Sequence, residues 1–458
     1  MSLGKRPADR QKKLWMPTHE MVDAPGHPFY RKLNEVLARG EFDRRVEELC
    51  EPYYAEKTGR PSVPPGVYFR MMMVGYFEGI DSQRGIAWRC ADSLSLRSFL
   101  GYPMDKKTPD HSSLTRIRKR LPLEVHQRVF QMVLSLAAEE GLLEGRTIGV
   151  DATTLEANAA MKSIVRKDTG EDWTAYVKSL MEAEEDDSDD GDGPTDEDAR
   201  RYDRKRGSSK KVSNEDWESP SDPDARITKM KDGRTDLAYK AEHAVDLETD
   251  AVVAADVRYA DEGDADNLLD AVKQAEENAR EAQGDSDIED SRIVKEAVAD
   301  KGYHKAETLA DCREEGVRTY IPERNQNGRR RWTDKPPGWQ QAFYRNRYRT
   351  RGERGKRLQR KRSERLERSF AHLCEAGGLR RMWLRGLREV KKRYLVQAAA
   401  HNLGLIMRKL CGAGTPRALA GVGGMLRSVI SSVRSGWHRF IRDPRFTCPS
   451  KKVSILST

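Results

Sequence analysis

The sequence predicts an α/β domain with a mixed sheet, and a helical segment that precedes it. Three stretches indicate the sheet. Residues 146–158 are rich in β-branched side chains and carry Asp151 in mid-strand. Residues 237–257 alternate between apolar and polar or small side chains around a short turn, as two hairpin strands do. A further apolar run ends at Asp300, after which Gly302 lets the chain turn towards a helix.

Helices are expected to follow the third, fourth and fifth strands. Two of them are predicted over residues 264–282 and 306–315, with a last strand over residues 317–321. Together with the helix that contains Glu367, the element order is β-β-β-α-β-α-β-α. This is the order of the ribonuclease H-like fold. We therefore predict a ribonuclease H-like domain over residues 144–410, with a mixed five-stranded sheet and flanking helices.

The chain before the first strand is predicted to be all-helical. Residues 1–63 are a basic tail followed by two helices, and residues 64–143 are a compact helical set. A helix that begins at Asp110 has apolar residues on one face and basic residues largely on the others. This pattern suits the recognition helix of a helix-turn-helix in the major groove of DNA, although a solvated helix of an ordinary α-domain shows it too. The basic residues expected to contact DNA are Arg116, Arg118, Lys119 and Arg120.

Residues 161–226 interrupt the predicted sheet. Their centre, residues 184–198, holds ten acids in fifteen positions. A segment of this composition cannot bury enough apolar surface to order itself, so we predict a disordered insert. A solvated acidic loop is the simplest role for it, and repulsion of DNA from other surfaces is an alternative.

Positive charge is concentrated in one part of the chain. The net charge is +9, yet residues 329–368 alone carry sixteen Lys or Arg against four acids, a local +12. Residues 325–360 interleave aromatic side chains with the arginines, which suits either stacking on unpaired bases or a disordered basic loop. Residues 411–458 are predicted to form a Gly-rich linker and a basic amphipathic helix. That helix either packs on its own domain or contacts DNA or a second copy.

Composition argues against several classes of protein. No stretch approaches the roughly 18 apolar residues of a membrane span, and the first ten residues lack the apolar segment of a secretory signal. We therefore expect a cytoplasmic protein that does not contact membranes. The six cysteines form no Cys-x-x-Cys pair and the nine histidines form no His-Glu-x-x-His motif, so a zinc site is not expected.

Three carboxylates occupy positions that favour a shared cation site. A mid-strand acid such as Asp151 is costly to bury unless it binds a cation or hydrogen-bond donors. Asp300 should lie at the carboxyl end of its strand, where the sites of open α/β sheets collect. Glu367 borders the apolar stripe of its helix, whereas Glu364 points almost the opposite way. Because Mg²⁺ is usually held by carboxylates together with phosphate oxygens, phosphodiester chemistry is indicated.

The motifs around these acids resemble those of the DDE transposases of bacterial insertion sequences, in the insertion-sequence-four and insertion-sequence-five superfamily. The first acid lies in Val-Asp-Ala-Thr at residues 150–153, and the second in Asp-Lys-Gly-Tyr-His at residues 300–304. The third lies in Leu-Glu-Arg-Ser-Phe at residues 366–370. Residues 237–246 extend the likeness, which covers most of residues 64–410.

The resemblance implies that Asp151, Asp300 and Glu367 are catalytic and hold Mg²⁺ or Mn²⁺, as two ions. The protein would bind double-stranded DNA as a homodimer, hydrolyse a phosphodiester at each end of its element and transfer the 3′ ends into target DNA. We expect phosphates to be bound by side chains near the second and third acids. These are Lys301, Tyr303, Arg360 and Arg368.

The third motif departs from the family pattern. Members often show a Tyr, Arg, Glu, Lys signature, and around Glu367 the corresponding positions hold Arg360, Ser363 and Cys374. Glu364 stands at the Arg-to-Glu spacing from Arg360 and remains an alternative third acid. Two other functions stay open. One is a ribonuclease H-like nuclease that cuts without joining, and the other is a catalytically degenerate DNA-binding protein or transposition inhibitor.

Overall fold

A computed structural model describes residues 26–55, 62–184, 194–206, 212–230, 232–284, 292–324 and 330–419. The predicted basic tail, the middle of the acidic stretch and the carboxy-terminal amphipathic helix fall outside these ranges. Buried apolar side chains from the helical segment and from the sheet form one continuous core. No helix within the described ranges is both long and apolar enough to cross a membrane.

The chain before the sheet folds into helices, and the described residues there contain no strand. Ser82 caps the fourth helix, because its hydroxyl accepts a hydrogen bond from the Gly85 N–H at 3.1 Å. Asp110 caps the sixth helix through the Ser113 N–H at 2.8 Å, so the helix predicted at Asp110 begins one residue later. The helices are α1 (Pro28–Arg39), α2 (Phe42–Cys50), α3 (Pro65–Glu78), α4 (Gln83–Asp92), α5 (Leu94–Phe99), α6 (His111–Arg120) and α7 (Leu123–Glu139).

A mixed sheet follows. Its strands are β1 (Thr147–Glu156), β4 (Arg226–Lys229), β5 (Thr235–Asp246), β6 (Val252–Tyr259), β7 (Glu296–Val298) and β8 (Arg318–Tyr320). The strand order is β4-β5-β1-β7-β8, and β6 pairs with β5. The β1–β5, β4–β5 and β5–β6 pairs are antiparallel, whereas the β1–β7 and β7–β8 pairs are parallel. The sheet has six strands rather than the predicted five, because β4 adds one beside the start of β5.

The parallel pairing of β1 with β7 sets the position of the two predicted strand acids. Gly149 of β1 pairs with Val298 of β7, and this is the last pair before the strands part. Asp151 follows two residues later within β1, which continues to Glu156, and Asp300 follows two residues after Val298, just beyond the end of β7. Because the two strands run in the same direction, both acids lie on the carboxyl side of the last β1–β7 pair.

The insert over residues 161–226 is largely folded, so the prediction of disorder is wrong for its described part. It contains a small antiparallel pair, β2 (Val165–Arg166) with β3 (Trp217–Glu218), and two helices, α8 (Trp173–Glu184) and α9 (Asp196–Arg206). The Trp217 ring is buried and lies 5.1 Å from Trp173 and 5.2 Å from Tyr176. This aromatic cluster supplies the apolar contacts that the averaged composition conceals. The most acidic residues, 185–193, fall outside the described ranges.

Five helices complete the described chain. They are α10 (Asp264–Gln283), α11 (Ala306–Glu314), α12 (Pro337–Arg351), α13 (Glu353–Ala371) and α14 (Leu387–Cys411). Helix α13 crosses the sheet so closely that a Cβ on Gly149 would lie 2.6 Å from the Leu366 side chain. A disordered basic loop was one of the two interpretations of residues 325–360. Where this segment is described, α12 and the start of α13 make it mostly helical. Helix α14 is buried along most of its length and contacts α3, α7 and β6.

Candidate active site

The Asp151 carboxylate lies over the sheet, and both of its oxygens accept hydrogen bonds. One oxygen accepts from the Ala152 backbone N–H at 2.9 Å. The other accepts from Nη1 of Arg362, on α13, at 2.7 Å. The Asp151 side chain is 28% exposed, and that of Arg362 is 10% exposed. A half-buried acid in mid-strand thus has the hydrogen-bond donors that its burial requires.

Asp300 caps the short 3₁₀ turn that follows β7, with one carboxylate oxygen accepting from the Gly302 N–H at 2.7 Å. Gly302 is needed for space rather than for an unusual backbone angle. A Cβ at this position would lie 2.8 Å from Oδ1 of Asp300 and 2.9 Å from Oδ2 of Asp264, the first residue of α10. The glycine of the Asp-Lys-Gly-Tyr-His motif therefore leaves room for two carboxylates.

The charges of the two strand acids influence one another. Burial raises the pKa of Asp151, and the negative charge of Asp300 raises that pKa further. Arg362 and the Ala152 N–H act in the opposite direction, because they stabilise the ionised carboxylate. The Asp151 carboxylate therefore lies within the electrostatic field of Asp300.

Glu367 is exposed on α13, and its position on the helix follows from the ion pairs of two neighbouring arginines. Arg365 and Arg368 form ion pairs with Asp250, in the turn between β5 and β6. That turn lies beyond the amino end of β1, because β1 and β5 are antiparallel. At about 100° per residue, Glu367 is turned about 200° from Arg365, so it faces the flank nearer the carboxyl ends of the strands. Glu364 instead pairs with Arg368 at 2.5 Å.

The donor set suits a hard cation, although the three predicted acids do not close around one. Within the described ranges, no three His, Cys, Asp or Glu side chains lie close enough together to hold a metal ion. The carboxylates of Asp151 and Asp300, on two neighbouring strands, nevertheless match the usual protein share of a Mg²⁺ site, in which phosphate oxygens and water supply the other ligands. The residues present therefore fit a divalent cation whose remaining ligands come from water or phosphate oxygens.

Two of the four side chains predicted to bind phosphates near these acids are already engaged. The prediction for Tyr303 is wrong, because its ring is buried and its hydroxyl donates to Oε1 of Glu242 at 2.8 Å. Arg368 forms ion pairs with two acids on the other flank of α13. Lys301 and Arg360 are exposed, so both remain available to a phosphate.

The predicted recognition helix α6 is only partly free to contact DNA. Arg118 is buried, with its Nε 2.6 Å from Oε2 of Glu389 and its guanidinium over the Trp383 ring. Its assignment to DNA is therefore wrong, because it joins α6 to α14 instead. Arg116, Lys119 and Arg120 are exposed.

The aromatic and basic segment forms a groove of about 620 Å³ at the junction of α12 and α13. Tyr348 is 84% exposed and Tyr344 is 46% exposed, which is unusual for aromatic rings. Three of the arginines hold other parts of the protein, because Arg347 pairs with Glu323, Arg349 bonds to Thr319 and Arg354 pairs with Glu296. The groove is lined by Tyr320, Tyr344, Tyr348, Arg347, Arg349, Arg351 and Arg354, with Gly352 and Glu353.

Arg362 and Glu242 are the two residues of this region that sequence reasoning missed. Arg362 lies four residues before Leu366 on the buried stripe of α13, and a basic residue in an apolar stripe was the available signal. Glu242 is an acid in a strand that alternates regularly, and it is 4% exposed. Burial raises the pKa of Glu242 to about 7.

Comparison with known families gives two matches. Residues 17–120 match the family described as a transposase domain (DUF772), and residues 286–407 match the family described as a transposase DDE domain. The second match includes Asp300, Arg362 and Glu367, whereas Asp151 lies in neither. No significant match was found among curated proteins or among solved structures. Both matches are to transposase domains, and each covers about a quarter of the chain.

Proposed function

We propose that this protein binds the ends of a DNA insertion sequence, cleaves them by metal-dependent hydrolysis and transfers the 3′ ends into target DNA. The observation that carries the proposal is the placement of Asp151 and Asp300 two residues beyond the last pair of the neighbouring parallel strands β1 and β7, close to the helix that bears Glu367. The order β6-β5-β1-β7-β8 within the sheet supports a ribonuclease H-like catalytic domain. Membership of the insertion-sequence-four and insertion-sequence-five superfamily is part of the same proposal.

Asp151 and Asp300 would hold Mg²⁺ or Mn²⁺, and Glu367 would complete the site from the exposed flank of α13. A divalent cation supplies Lewis acidity there and lowers the pKa of a bound water, and two such ions are expected. The protein's own contribution is to fix the two carboxylates with hydrogen bonds from backbone N–H groups. Lys301 and Arg360 would orient the phosphates between them.

Recognition of the element ends is assigned to the helical segment. Arg116 and Lys119 are exposed on α6 and can reach phosphates or base edges. Arg120 is exposed as well, and its guanidinium lies 4.7 Å from the centre of the Tyr54 ring. Helix α6 is joined to α14 through the Arg118–Glu389 ion pair, so DNA held there would have a fixed relation to the sheet. A homodimer would place two such units on the two ends of one element.

The direct test is cleavage of duplex DNA from the regions that flank the reading frame, in the presence of Mg²⁺. Asp300→Asn should reduce strand cleavage below detection and leave DNA binding largely intact, because it removes a metal ligand and no folding contact other than one turn cap. Asp334→Asn, at an exposed acid outside the site, is the control and should cleave normally. Undiminished cleavage by Asp300→Asn would remove the central residue of the proposal.

One observation favours a second candidate, a DNA-binding transposition inhibitor that has lost catalysis. Arg362 forms an ion pair with Asp151, and among the described residues the acids do not form a three-ligand metal site. Such a protein would bind element ends without cutting them at any Mg²⁺ or Mn²⁺ concentration. A nuclease that cuts without joining would instead fail only in strand transfer, which pre-cleaved ends would reveal.

A further inference from the structure

Arg362 holds the first catalytic acid from a buried position. Arg362 is 9% exposed, and its Nη1 lies 2.7 Å from Oδ2 of Asp151. Weaker contacts hold the rest of the guanidinium, because Nε lies 3.3 Å from Oε1 of Gln359 and Nη2 lies 3.4 Å from the Ser363 hydroxyl. The strongest contact of this arginine is therefore the one to Asp151.

We propose that Arg362 is an exchangeable latch: its guanidinium neutralises Asp151 until a divalent cation and DNA arrive, and it then transfers to a DNA phosphate. This inference rests on the proposed function, because it assumes that Asp151 is a cation ligand.

The first step of the argument is competition for one carboxylate. Oδ1 of Asp151 accepts from a backbone N–H, and Oδ2 accepts from Arg362. A cation that binds Oδ2 competes with the guanidinium for the charge of the same carboxylate, because two positive charges so close together repel one another. Cation binding to the DNA-free protein is therefore opposed by the loss of this ion pair.

The second step concerns the fate of the released arginine. A guanidinium that is buried without a partner is costly, so Arg362 needs a new anion when Asp151 takes a cation. A phosphate diester fits the planar fork of donors well, and the substrate of this site supplies one. The exposed Lys301 and Arg360 make the surroundings attractive to the same phosphate.

The consequence is a thermodynamic coupling between DNA and the cation. Each ligand helps the other, because DNA takes Arg362 and thereby frees Asp151, while the cation takes Asp151 and thereby frees Arg362. Protein without DNA would then hold little cation. An arginine with a purely structural role would give no such coupling.

The test measures Mn²⁺ binding to the full chain by electron paramagnetic resonance of the free ion, without any assay of activity. Without DNA, Arg362→Gln should bind Mn²⁺ about tenfold more tightly than the wild type, a change within the usual range for coupled sites. The matched control is Arg357→Gln, an exposed arginine of the same helix, which should leave the affinity unchanged. Adding duplex DNA from the flanks of the reading frame should tighten Mn²⁺ binding to the wild type much more than to Arg362→Gln.

Two further variants make every outcome decisive. If Arg362→Gln fails to fold, as judged by circular dichroism, Arg362→Lys replaces it and should show a smaller gain in affinity in the same direction. Equal or weaker Mn²⁺ binding by the folded variant would overturn the latch and leave the metal site standing. If neither the wild type nor the variant shows Mn²⁺ binding that Asp151→Asn abolishes, the proposed catalytic site is itself wrong.

Discussion

Gly302 links the local backbone to the chemistry of the site. Replacing it with Ala places a Cβ within 3 Å of one oxygen each of Asp300 and Asp264. Both neighbours are the ends of side chains, so the protein can yield by turning the carboxylates, at a stability cost of about 1–3 kcal/mol. We expect Gly302→Ala to remain folded but to lose most of its cleavage and most of the Mn²⁺ binding that the wild type shows in the presence of DNA. Gly338→Ala is the control, because nothing lies within 4 Å of a Cβ there, and equal cleavage by both variants would contradict this account.

Glu242 should make stability depend on pH. It is 4% exposed, and burial raises its pKa from 4.5 to about 7, with Asp264 and Asp256 adding to the rise and Tyr303 and Arg258 opposing it. The folded protein therefore holds this proton more tightly than the unfolded chain does. The associated stability is present below the unfolded pKa and declines as pH rises towards the folded value.

Glu242→Gln tests this dependence, because the amide cannot ionise. Urea unfolding at about pH 5 and about pH 8 should show a larger loss of stability with rising pH in the wild type than in the variant, by up to a few kcal/mol. Parallel losses in the two proteins would show that Glu242 is already ionised at the lower pH.

The sequence is sufficient to locate residues whose role follows from their own strand, and insufficient for those whose role depends on a distant partner. The positions of Asp151 and Asp300 were predictable, because the apolar and β-branched patterns alone place the first within a strand and the second just after one. Tyr303 and Arg118 were misassigned, because their partners Glu242 and Glu389 lie 61 and 271 positions away along the chain. Charge and residue type alone do not reveal such long-range pairs.

At the scale of secondary structure, α12 is a regular helix with an unusual composition. It carries four arginines and no acid, and it leaves the Tyr348 ring 84% exposed. Its helical form escaped sequence reasoning because its apolar positions are few, whereas Pro336 and Pro337 mark its start. Exposed rings beside cations suit stacking on unpaired bases, so the groove beside α12 is a candidate contact for single-stranded DNA.

Tyr348→Ala measures this contact. Loss of one stacking ring should weaken binding of a single-stranded oligonucleotide by about 1–3 kcal/mol in fluorescence anisotropy. The melting temperature should hardly change, because so exposed a ring buries little surface. Tyr53→Ala, at a ring that is 41% exposed in the helical segment, serves as the control. Similar effects of the two substitutions would mean that the groove has no special role.

For the whole molecule, α14 connects parts that the sequence divided at residue 143. Its Asn402 is fully buried and bonds to both backbone groups of Val252 in β6, at 2.9 and 2.8 Å. One residue earlier, Nδ1 of His401 lies 3.2 Å from the Tyr76 hydroxyl of α3. A single turn of α14 therefore holds the sheet and the helical segment together. Sequence patterns predict helices and a mixed sheet, but they carry no information on which faces meet.

This connection predicts that the helical segment and the sheet unfold together. Asn402→Ala leaves the N–H and C=O of Val252 buried without partners, which should cost about 2–5 kcal/mol in the free energy of unfolding. If the two parts form one cooperative unit, hydrogen exchange of the slowest amides in α3 and in β1 should accelerate by the same factor. Gln340→Ala, at an exposed position of α12, should change neither. Acceleration confined to β1 and β5 would instead mean that residues 64–143 and 144–410 are independent domains, because the loss of a bond to β6 would then not reach α3.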